Sequence, residues 1–283
     1  MSDSASGTLF LVATPIGNLE DITLRALRIL RSAGLVAAED TRHTAKLLTH
    51  YDIRTKTTSL HEHNEHEKVP ALVARLQEGA IIALVTDAGT PSVSDPGYRL
   101  AAAAIAAGVR VEAIPGPSAV LTALVASGLP TDAFVFAGFA PPRSAARQAW
   151  LSSLGAERRT IVFFEAPHRI VAALGDALRV LGDRRVAVGR ELTKMHETWV
   201  RGPISEVLRV LGEPRGEFTV VLSGLTEDTT SPSPQITDQQ MFTEFCRMTE
   251  NGASRREALA ALARTHAMRS RDVFAAVDRA RDS

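Results

Sequence analysis

Three short segments combine proline with glycine directly after apolar runs that are typical of buried strands. They are Ala13 to Asn18, Thr86 to Pro91 and Pro115 to Ala119. Proline stiffens a loop, and glycine lets backbone N–H and C=O groups approach a ligand closely. Ligands of open parallel sheets bind beyond the carboxyl ends of the strands. Each segment alone is also explained as a tight turn, but three of them at one end of a sheet predict a small-molecule site.

Two common nucleotide-binding motifs are absent from the sequence. No two of the 19 glycines are separated by one residue, and no glycine precedes a lysine. This excludes the G-x-G-x-x-G fingerprint and the Walker A loop. The segment His61 to His66 is rich in histidine, but Glu65 stands where the zinc motif H-E-x-x-H needs its second histidine. We expect no metal site and interpret this segment as a polar loop leading into a helix near Glu67.

The elements that position the three loops alternate between short β-rich runs and helical patterns up to about Leu222. This alternation is typical of βαβ units with mostly parallel sheets. Asp95, followed by Pro96, is predicted to cap one helix, and Ser118 to cap the next. The predicted strands are Leu9 to Ala13, Ile81 to Val85, Val109 to Ile114, Phe134 to Ala137, Thr160 to Phe164, Arg185 to Val188 and Phe218 to Leu222. The predicted helices are Ile22 to Ser32, Val69 to Glu78, Tyr98 to Ala107, Ile170 to Leu181 and Ile204 to Leu211.

The chain of 283 residues is longer than one compact domain usually is. Pro130 and the polar stretch Ala140 to Arg147 indicate where one α/β domain gives way to a second. Ser, Thr, Pro and Gln then replace the βα alternation over 225–240, as expected for a flexible linker. We predict an α/β protein with an N-terminal α/β domain at 1–128, a second α/β domain at 129–224, and a helical extension at 241–283.

The predicted extension carries a local positive charge. Three short helical patterns fill it: Met241 to Glu250, Ser254 to Arg264 and Arg269 to Arg281. Over 251–281 seven arginines face three acidic residues, an excess of 7 − 3 = 4 positive charges. Ser254 and Glu257 have the spacing of a capping box. Short helices with a tight turn near His266 resemble a helix-turn-helix module that binds nucleic acid, although a solvated three-helix cap would give the same pattern.

Overall composition excludes several classes of protein. The chain has 45% hydrophobic and 23% charged residues, which is ordinary for a globular fold and unlike a disordered chain. Basic and acidic residues number 32 each, so any contact with an anionic partner must be local. Cys246 is the single cysteine, which excludes a disulfide framework. No apolar run is long enough to span a membrane, and we expect a soluble, cytoplasmic protein.

Seven segments, in order, resemble the motifs of the RsmI family, the bacterial small-subunit rRNA (cytidine-2'-O)-methyltransferases, whose fold is similar to that of the tetrapyrrole methylases. The segments are Val12 to Leu19, Glu39 to Arg42, His61 to Glu65, Thr86 to Gly97, Pro115 to Ala119, Phe164 to Arg169 and Arg190 to Lys194. The resemblance extends from about Thr8 to Gly224, and the helical extension resembles one found in that family. Ala38, where relatives often have cysteine, is a small departure that leaves every charged motif position intact.

The resemblance implies a class III methyltransferase fold of two α/β domains, in most cases a homodimer, that holds S-adenosylmethionine between the domains. It also implies that small-subunit rRNA or a ribosomal particle is the partner. Asp87 is chemically suited to the cationic methionyl end or to polar groups of the cofactor. The implied cofactor-binding residues are Pro15, Ile16, Gly17, Asp87, Gly89, Thr90, Ser118, Ala119 and Phe164.

Methyl transfer to a ribose hydroxyl requires positioning and a group that accepts the hydroxyl proton. Glu165 and Glu191 rank first as bases, and Lys194 completes the predicted catalytic set. An adjacent cation lowers the pKa of a carboxylate, however, so each glutamate could instead belong to a structural ion pair. Asp40 and the histidines of 61–66 are further candidate bases. The residues suited to hold RNA phosphates are Arg42, Arg169 and Arg190, together with Lys194.

Two other functions share parts of this pattern. A methylase acting on a tetrapyrrole carbon would have the same cofactor loops, but it would not need the basic extension or the segments His61 to Glu65 and Arg190 to Lys194. A non-catalytic RNA-binding assembly factor would keep the cleft without taking up cofactor. The chain has two Tyr and two Trp, too few for an extended aromatic platform for single-stranded bases.

Overall fold

The computed structural model describes residues 7–212, 215–225, 238–250, 253–265 and 270–281. The chain divides into two compact units between residues 226 and 227. The first unit contains two five-stranded sheets with helices, and the described part of the second unit is helical. None of the helices in the described ranges is long and apolar enough to cross a membrane.

The first sheet is entirely parallel and has the order β3-β2-β4-β1-β5. Its strands are β1 (Thr8–Val12), β2 (Leu35–Ala38), β3 (Thr57–Ser59), β4 (Ile81–Val85) and β5 (Arg110–Ile114). Its helices are α1 (Leu24–Ser32), α2 (Thr41–His50), α3 (Glu65–Gln77), α4 (Tyr98–Ala106) and α5 (Ala119–Ala126). Separate apolar clusters pack on its two faces, as a doubly wound sheet requires. The sequence did not predict β2, β3 or α2, because the two strands are too short to show a period.

The expectation of mostly parallel strands is wrong for the second sheet. Its order is β6-β7-β10-β8-β9, and only β6 and β7 pair in parallel. The strands are β6 (Phe134–Phe139), β7 (Thr160–Glu165), β8 (Arg185–Arg190), β9 (Thr198–Pro203) and β10 (Phe218–Leu222). The helices are α6 (Ser144–Ser153), α7 (Ile170–Leu181) and α8 (Ile204–Val210). The segment 191–197 between β8 and β9 is too short for a parallel crossover, so these strands form an antiparallel hairpin.

Helix α5 joins the two sheets. Val120 and Leu124 of this helix belong to one buried cluster with Val162 of β7 and Val221 of β10. Ser118 is the N-cap of α5, and its side chain accepts a hydrogen bond from the Leu121 N–H at 3.5 Å, which confirms the predicted cap. The loop after β5 is therefore held against the second sheet.

The predicted cap at Asp95 is wrong. Helix α4 begins after Gly97, whose φ of 117° lies in the left-handed region and whose position has no side-chain cap. Ser92 and Ser94 also have positive φ, at 69° and 63°. This tightly turned backbone places Asp95 on the wall of a cavity instead of at the helix start.

The described part of the second unit contains three helices: α9 (Asp238–Glu250), α10 (Arg255–Thr265) and α11 (Ser270–Arg281). They share an apolar core. Ser254 and Glu257 form the predicted capping box, because the Ser254 N–H donates to Oε2 of Glu257 at 2.9 Å and the Glu257 N–H donates to the Ser254 hydroxyl at 3.3 Å. The greater part of the predicted linker, 226–237, and the predicted turn near His266 lie outside the described residues.

Candidate functional site

A cavity of about 420 Å³ lies between the two sheets. We call it the main cavity. One wall comes from the loops that follow β1, β4 and β5, and the opposite wall from β7, β10 and the loop after β8. Phe139 and Phe164 form part of the second wall, with ring centroids 5.3 Å apart. The three proline- and glycine-containing loops thus meet at one end of the parallel sheet, as their sequence predicts.

Seven of the nine residues predicted to bind a cofactor line the main cavity: Ile16, Asp87, Gly89, Thr90, Ser118, Ala119 and Phe164. Pro15 instead borders a smaller neighbouring cavity. Gly17 borders neither of these two cavities and packs against the loop after β8. A Cβ atom at Gly17 would collide with the Lys194 side chain and would lie 3.0 Å from the Leu192 carbonyl oxygen. Gly17 therefore allows the loops after β1 and β8 to approach each other beside the cavity.

Hydrogen bonds tie the three loops together. Thr14 and Gly89 exchange two backbone hydrogen bonds, at 2.9 and 3.0 Å. The Thr14 hydroxyl donates to the Thr86 carbonyl at 3.1 Å. The Thr90 hydroxyl donates to the Pro117 carbonyl at 3.3 Å. The cavity wall is therefore largely preformed, so a ligand would order little of the loop backbone on binding.

Five carboxylate side chains line the main cavity, and none of the residues that the structure places in its lining is Lys, Arg or His. The carboxylates belong to Glu39, Asp87, Asp95, Glu165 and Glu217. Backbone contacts connect two of them, because the Asp87 N–H donates to Oε2 of Glu39 at 3.3 Å. The cavity therefore has a negative potential and favours a ligand that carries positive charge.

Burial, with a smaller contribution from neighbouring carboxylates, raises the pKa values of two of these side chains. Burial, together with the charges of Glu39 and Asp87, raises the pKa of Asp95 to about 7, although the Thr86 hydroxyl acts in the opposite direction. Burial and the charges of Asp87 and Asp40 raise the pKa of Glu39. Near neutral pH Asp95 can thus bind and release a proton.

Glu165 lies at the end of β7 and is fully buried. Nε of Arg169 lies 2.8 Å from its Oε1 atom, and the Ala166 N–H donates to the same atom at 2.7 Å. Its other oxygen, Oε2, is buried without a hydrogen-bond partner among the described residues. Glu165 therefore combines a fixed orientation with one free acceptor atom, while Arg169 neutralises much of its charge.

Glu191 and Lys194 form an ion pair outside the main cavity. Nζ of Lys194 lies 3.0 Å from Oε1 of Glu191 and 3.0 Å from Oε2 of Glu217. Burial acts to raise the pKa of Glu191, but hydrogen bonds from Lys194 and from the Glu217 N–H hold it below its ordinary value. This pair orders the loop after β8, and through Glu217 it reaches the cavity lining.

The arginines predicted to hold phosphates do not converge on the main cavity. Arg42, at the start of α2, is exposed and pairs with Asp40, with Nη2 and Oδ2 2.7 Å apart. Hydrogen bonds from Arg42 hold the pKa of Asp40 well below its ordinary value. Nε of Arg190, at the end of β8, is buried without a hydrogen-bond partner among the described residues.

The histidine-rich segment has a positioning role. Asn64 receives a hydrogen bond from the His61 N–H at 2.9 Å, and the following residue, Glu65, is buried. Oε1 of Glu65 accepts a hydrogen bond from the Gly97 N–H at 2.7 Å. Glu65 thus anchors the turned segment that carries Asp95. No group of residues suited to hold a metal ion occurs among the described residues.

A second cavity of about 180 Å³, which we call the side cavity, adjoins the first. It lies between the loops after β1 and β4 and helix α2. Asp87 borders both cavities. The Asp40 N–H donates to Oδ1 of Asp87 at 3.1 Å, which fixes this carboxylate at the boundary.

The sequence alone does not single out Glu39 or Asp95 as site residues. Asp95 has the local pattern of a helix cap, and Glu39 follows a strand that the sequence does not predict. The unusual density of turn-forming residues between Thr86 and Gly97 is a signal that this segment does more than start a helix.

Known proteins resemble this chain in sequence and in fold. The family of tetrapyrrole (corrin/porphyrin) methylases matches residues 8–208. The protein named ribosomal RNA small subunit methyltransferase I from Micromonospora olivasterospora is 51% identical over 228 residues, which cover 80% of this chain and 73% of that protein. The protein of the same name from Synechocystis sp. is 45% identical over 271 residues, covering 95% and 96% of the two chains.

Among solved structures, uroporphyrin-III-C-methyltransferase from Thermus thermophilus superposes with a TM-score of 0.55 and 23% identity. The superposition covers 76% of this chain and 94% of that structure. At this level of identity the likeness concerns the fold alone.

Proposed function

Since this chain belongs to the tetrapyrrole methylase family, and within it to the ribosomal RNA small subunit methyltransferase I family, we propose that it methylates the ribose 2'-oxygen of a cytidine in the decoding region of small-subunit rRNA. It is an S-adenosylmethionine-dependent rRNA methyltransferase. The observation that carries the proposal is the preformed, carboxylate-lined main cavity at the carboxyl end of the parallel sheet. The choice of cytidine and of the 2'-oxygen comes from the resemblance of the motifs.

The residues of the main cavity fit S-adenosylmethionine. The cofactor has a sulfonium and an ammonium group, and the lining supplies carboxylates without a cationic side chain among its described residues. Ile16 and Phe164 supply apolar surface on opposite walls. When bound, the cofactor supplies an electrophilic methyl group. We assign its binding to Ile16, Asp87, Gly89, Thr90, Ser118, Ala119 and Phe164, with Pro15 and Gly17 shaping the loop after β1.

We assign proton acceptance to Asp95. It lines the main cavity, and its pKa of about 7 lets the carboxylate accept a proton and then return it to solvent near neutral pH. Glu165 and Glu191 rank first on sequence, but each has a cation as partner. We therefore give Glu165 the role of orienting a hydroxyl through its free Oε2 atom, and Glu191 and Lys194 the role of ordering the loop after β8.

We assign the RNA phosphates to cationic residues outside the main cavity. Arg42, Arg169, Arg190 and the helical extension are the candidates. In the extension, Arg279 pairs with Asp238, and Arg255 and Arg281 pair with Asp278, so part of its positive charge is already neutralised. We propose domains at 1–128 and 129–224, a linker at 225–240, and the extension at 241–283.

We also expect a homodimer and a cytoplasmic location. Leu121 and Val125 lie one turn apart on α5 and are 51% and 73% exposed, and Phe139 is 57% exposed. Large apolar side chains at a surface are typical of protein interfaces. Sedimentation analysis of the purified protein would show whether it forms a dimer.

The experiment that tests the function offers the purified protein labelled cofactor with two substrates in parallel. One is small ribosomal subunits from cells that lack this protein, and the other is a tetrapyrrole such as uroporphyrinogen. The proposal expects label in rRNA and none in the tetrapyrrole. Label in the tetrapyrrole alone would identify a C-methylase. Isothermal titration without cofactor uptake would indicate a non-catalytic RNA-binding factor.

A further inference from the structure

The side cavity differs from the main cavity in position and in lining, and binding of the methyl donor does not require it. Three elements surround it. The loop after β1 contributes Pro15, the loop after β4 contributes Thr86 and Asp87, and helix α2 forms the third side. With a volume of about 180 Å³ it is less than half the size of the main cavity. Such a space suits a single ring better than an extended molecule.

The side cavity lies where the strand order changes direction. From β2 the chain continues to β3, at one edge of the sheet, whereas from β4 it continues to β5, at the other edge. The connections after β2 and β4 therefore diverge and leave a crevice at the carboxyl ends of these strands, between α2 and the loop after β4. Crevices of this kind are the preferred ligand sites of doubly wound sheets.

The two cavities differ in the charged residues that line them. The described lining of the main cavity has five carboxylates and no cation. Glu165 and Glu217 pair with Arg169 and Lys194, which do not line the cavity, and the charges of Glu39 and Asp87 would repel the phosphates of a nucleic acid. In the side cavity Asp87 is the single acidic residue among the described lining, which also contains the ammonium group of Lys46 and the imidazole ring of His43. His43 and Lys46 are exposed residues of α2, and that helix contains no Asp or Glu.

The remaining lining suits a nucleoside. Pro15, Leu19 and Leu47 give apolar surface, on which the face of a base can pack. Thr44 and Thr86 add buried hydroxyl groups that can pair with polar atoms at the edge of a base or ribose. Thr86 is also close enough to Asp95 for its hydroxyl to influence the pKa of that carboxylate.

We propose that the side cavity receives the base of the RNA nucleotide that is methylated, with Lys46 and His43 contacting its phosphate at the mouth. Asp87, at the boundary, then separates the nucleotide from the cofactor, and the ribose lies on the side of Thr86 and Asp95. A base in this cavity must leave its stack, as in other enzymes that act on single nucleotides. This inference rests on the proposed rRNA methyltransferase function.

The test compares three variants with the wild type. Lys46→Gln removes a charge at the mouth, and Leu19→Trp places a large ring there at a position that is 38% exposed, so the core need not expand. Lys56→Gln is the matched control, because Lys56 is an exposed lysine of the same domain that borders neither cavity. For each protein we would measure the cofactor Kd by titration, the melting temperature, and KM and salt dependence with small subunits from cells lacking this protein.

We expect Lys46→Gln to raise KM for the particles about tenfold and to lower the salt slope of binding by about one counterion. Leu19→Trp should raise KM at least as much, and both variants should keep the wild-type cofactor Kd. Lys56→Gln should match the wild type. Unchanged KM in both variants, or an equal loss of cofactor affinity, would overturn the inference. A wild type that transfers no methyl group to rRNA would overturn the proposed function, and this inference with it.

Discussion

The backbone N–H of Asp40 donates a hydrogen bond to Oδ1 of Asp87 across 3.1 Å. The Asp87 N–H in turn donates to Glu39, at 3.3 Å. These bonds tie the end of β2 to the end of β4, which are neighbours in the first sheet. They fix the Asp87 carboxylate at the boundary between the main and side cavities, so its charge acts on whatever enters either one.

Asp87→Asn tests the cofactor site. Asparagine keeps an oxygen for the Asp40 N–H, so the loop should stay in place while the negative charge is removed. A charged hydrogen bond contributes about 1.5–3 kcal/mol, so the cofactor Kd should rise about 10- to 100-fold. Isothermal titration measures this, with the exposed Asp132→Asn as control. An unchanged Kd in a folded Asp87 variant would contradict the assigned pocket.

Asp95→Asn tests the proton acceptor. The wild-type carboxylate is protonated below pH 7 and ionised above it, so kcat/KM for the cofactor should rise with pH through about 7. The variant should lose this rise and at least about 100-fold of the rate. Glu165→Gln is the comparison variant, and its kcat/KM should still rise with pH through about 7. If Glu165→Gln abolishes the pH dependence and Asp95→Asn does not, Glu165 is the base.

Asp176→Ala should destabilise the packing of α6 against α7. Asp176 on α7 accepts hydrogen bonds from Nε and Nη2 of Arg147 on α6, at 2.9 and 2.6 Å, and both residues are buried. Removal of the carboxylate leaves a buried guanidinium without its partner, which costs about 3–5 kcal/mol. Thermal or urea unfolding measures the decrease in stability.

The control is Arg54→Ala, which breaks the exposed ion pair with Asp52 and should cost less than about 1 kcal/mol. The double variant Arg147→Met, Asp176→Leu should recover much of the stability, because no charge stays buried. Equal effects of Asp176→Ala and Arg54→Ala would show that the buried pair contributes no more than a surface pair.

A chain that ends at Leu225 should keep the cofactor Kd of the full chain but bind small subunits more weakly. The sheet-containing unit ends at the division between residues 226 and 227. Removal of the extension therefore keeps that unit and removes the arginines of the extension. Every RNA phosphate that the shorter chain no longer neutralises should lower the salt slope of binding by about one counterion. Titration and filter binding at several salt concentrations measure the two properties. Equal affinities and slopes would show that the extension is a structural cap.

The sequence predicted the site better than it predicted the second sheet. The loops after β1, β4 and β5 could be predicted because proline and glycine after an apolar run mark the end of a strand, and parallel strands end at one edge. The capping residues Ser118 and Ser254 were predicted because N-caps depend on local hydrogen bonds. By contrast, the antiparallel position of β10 between β7 and β8 depends on long-range pairing, which no local pattern records.

Asp95 shows why part of the site could not be predicted. An Asp-Pro pair before a helix has the local pattern of a cap, and only the tertiary contact of Glu65 with the Gly97 N–H shows that the segment is held in another conformation. Glu165, Arg169, Glu191 and Lys194 show the same limit. Their spacing in the sequence is compatible both with a catalytic base and with an ion pair. The distances in the structure show that both glutamates are paired with a cation.

The most direct test of the proposed function locates the transferred methyl group. Small subunits from cells lacking this protein would be incubated with the purified enzyme and labelled cofactor, and the rRNA would then be hydrolysed in alkali and digested for mass spectrometry. A 2'-O-methyl group removes the nucleophile that cleaves the neighbouring phosphodiester, so that one bond should resist alkali and the labelled nucleoside should be a ribose-methylated cytidine in the decoding region. Label on a base, with every phosphodiester still cleavable, would contradict the proposed function.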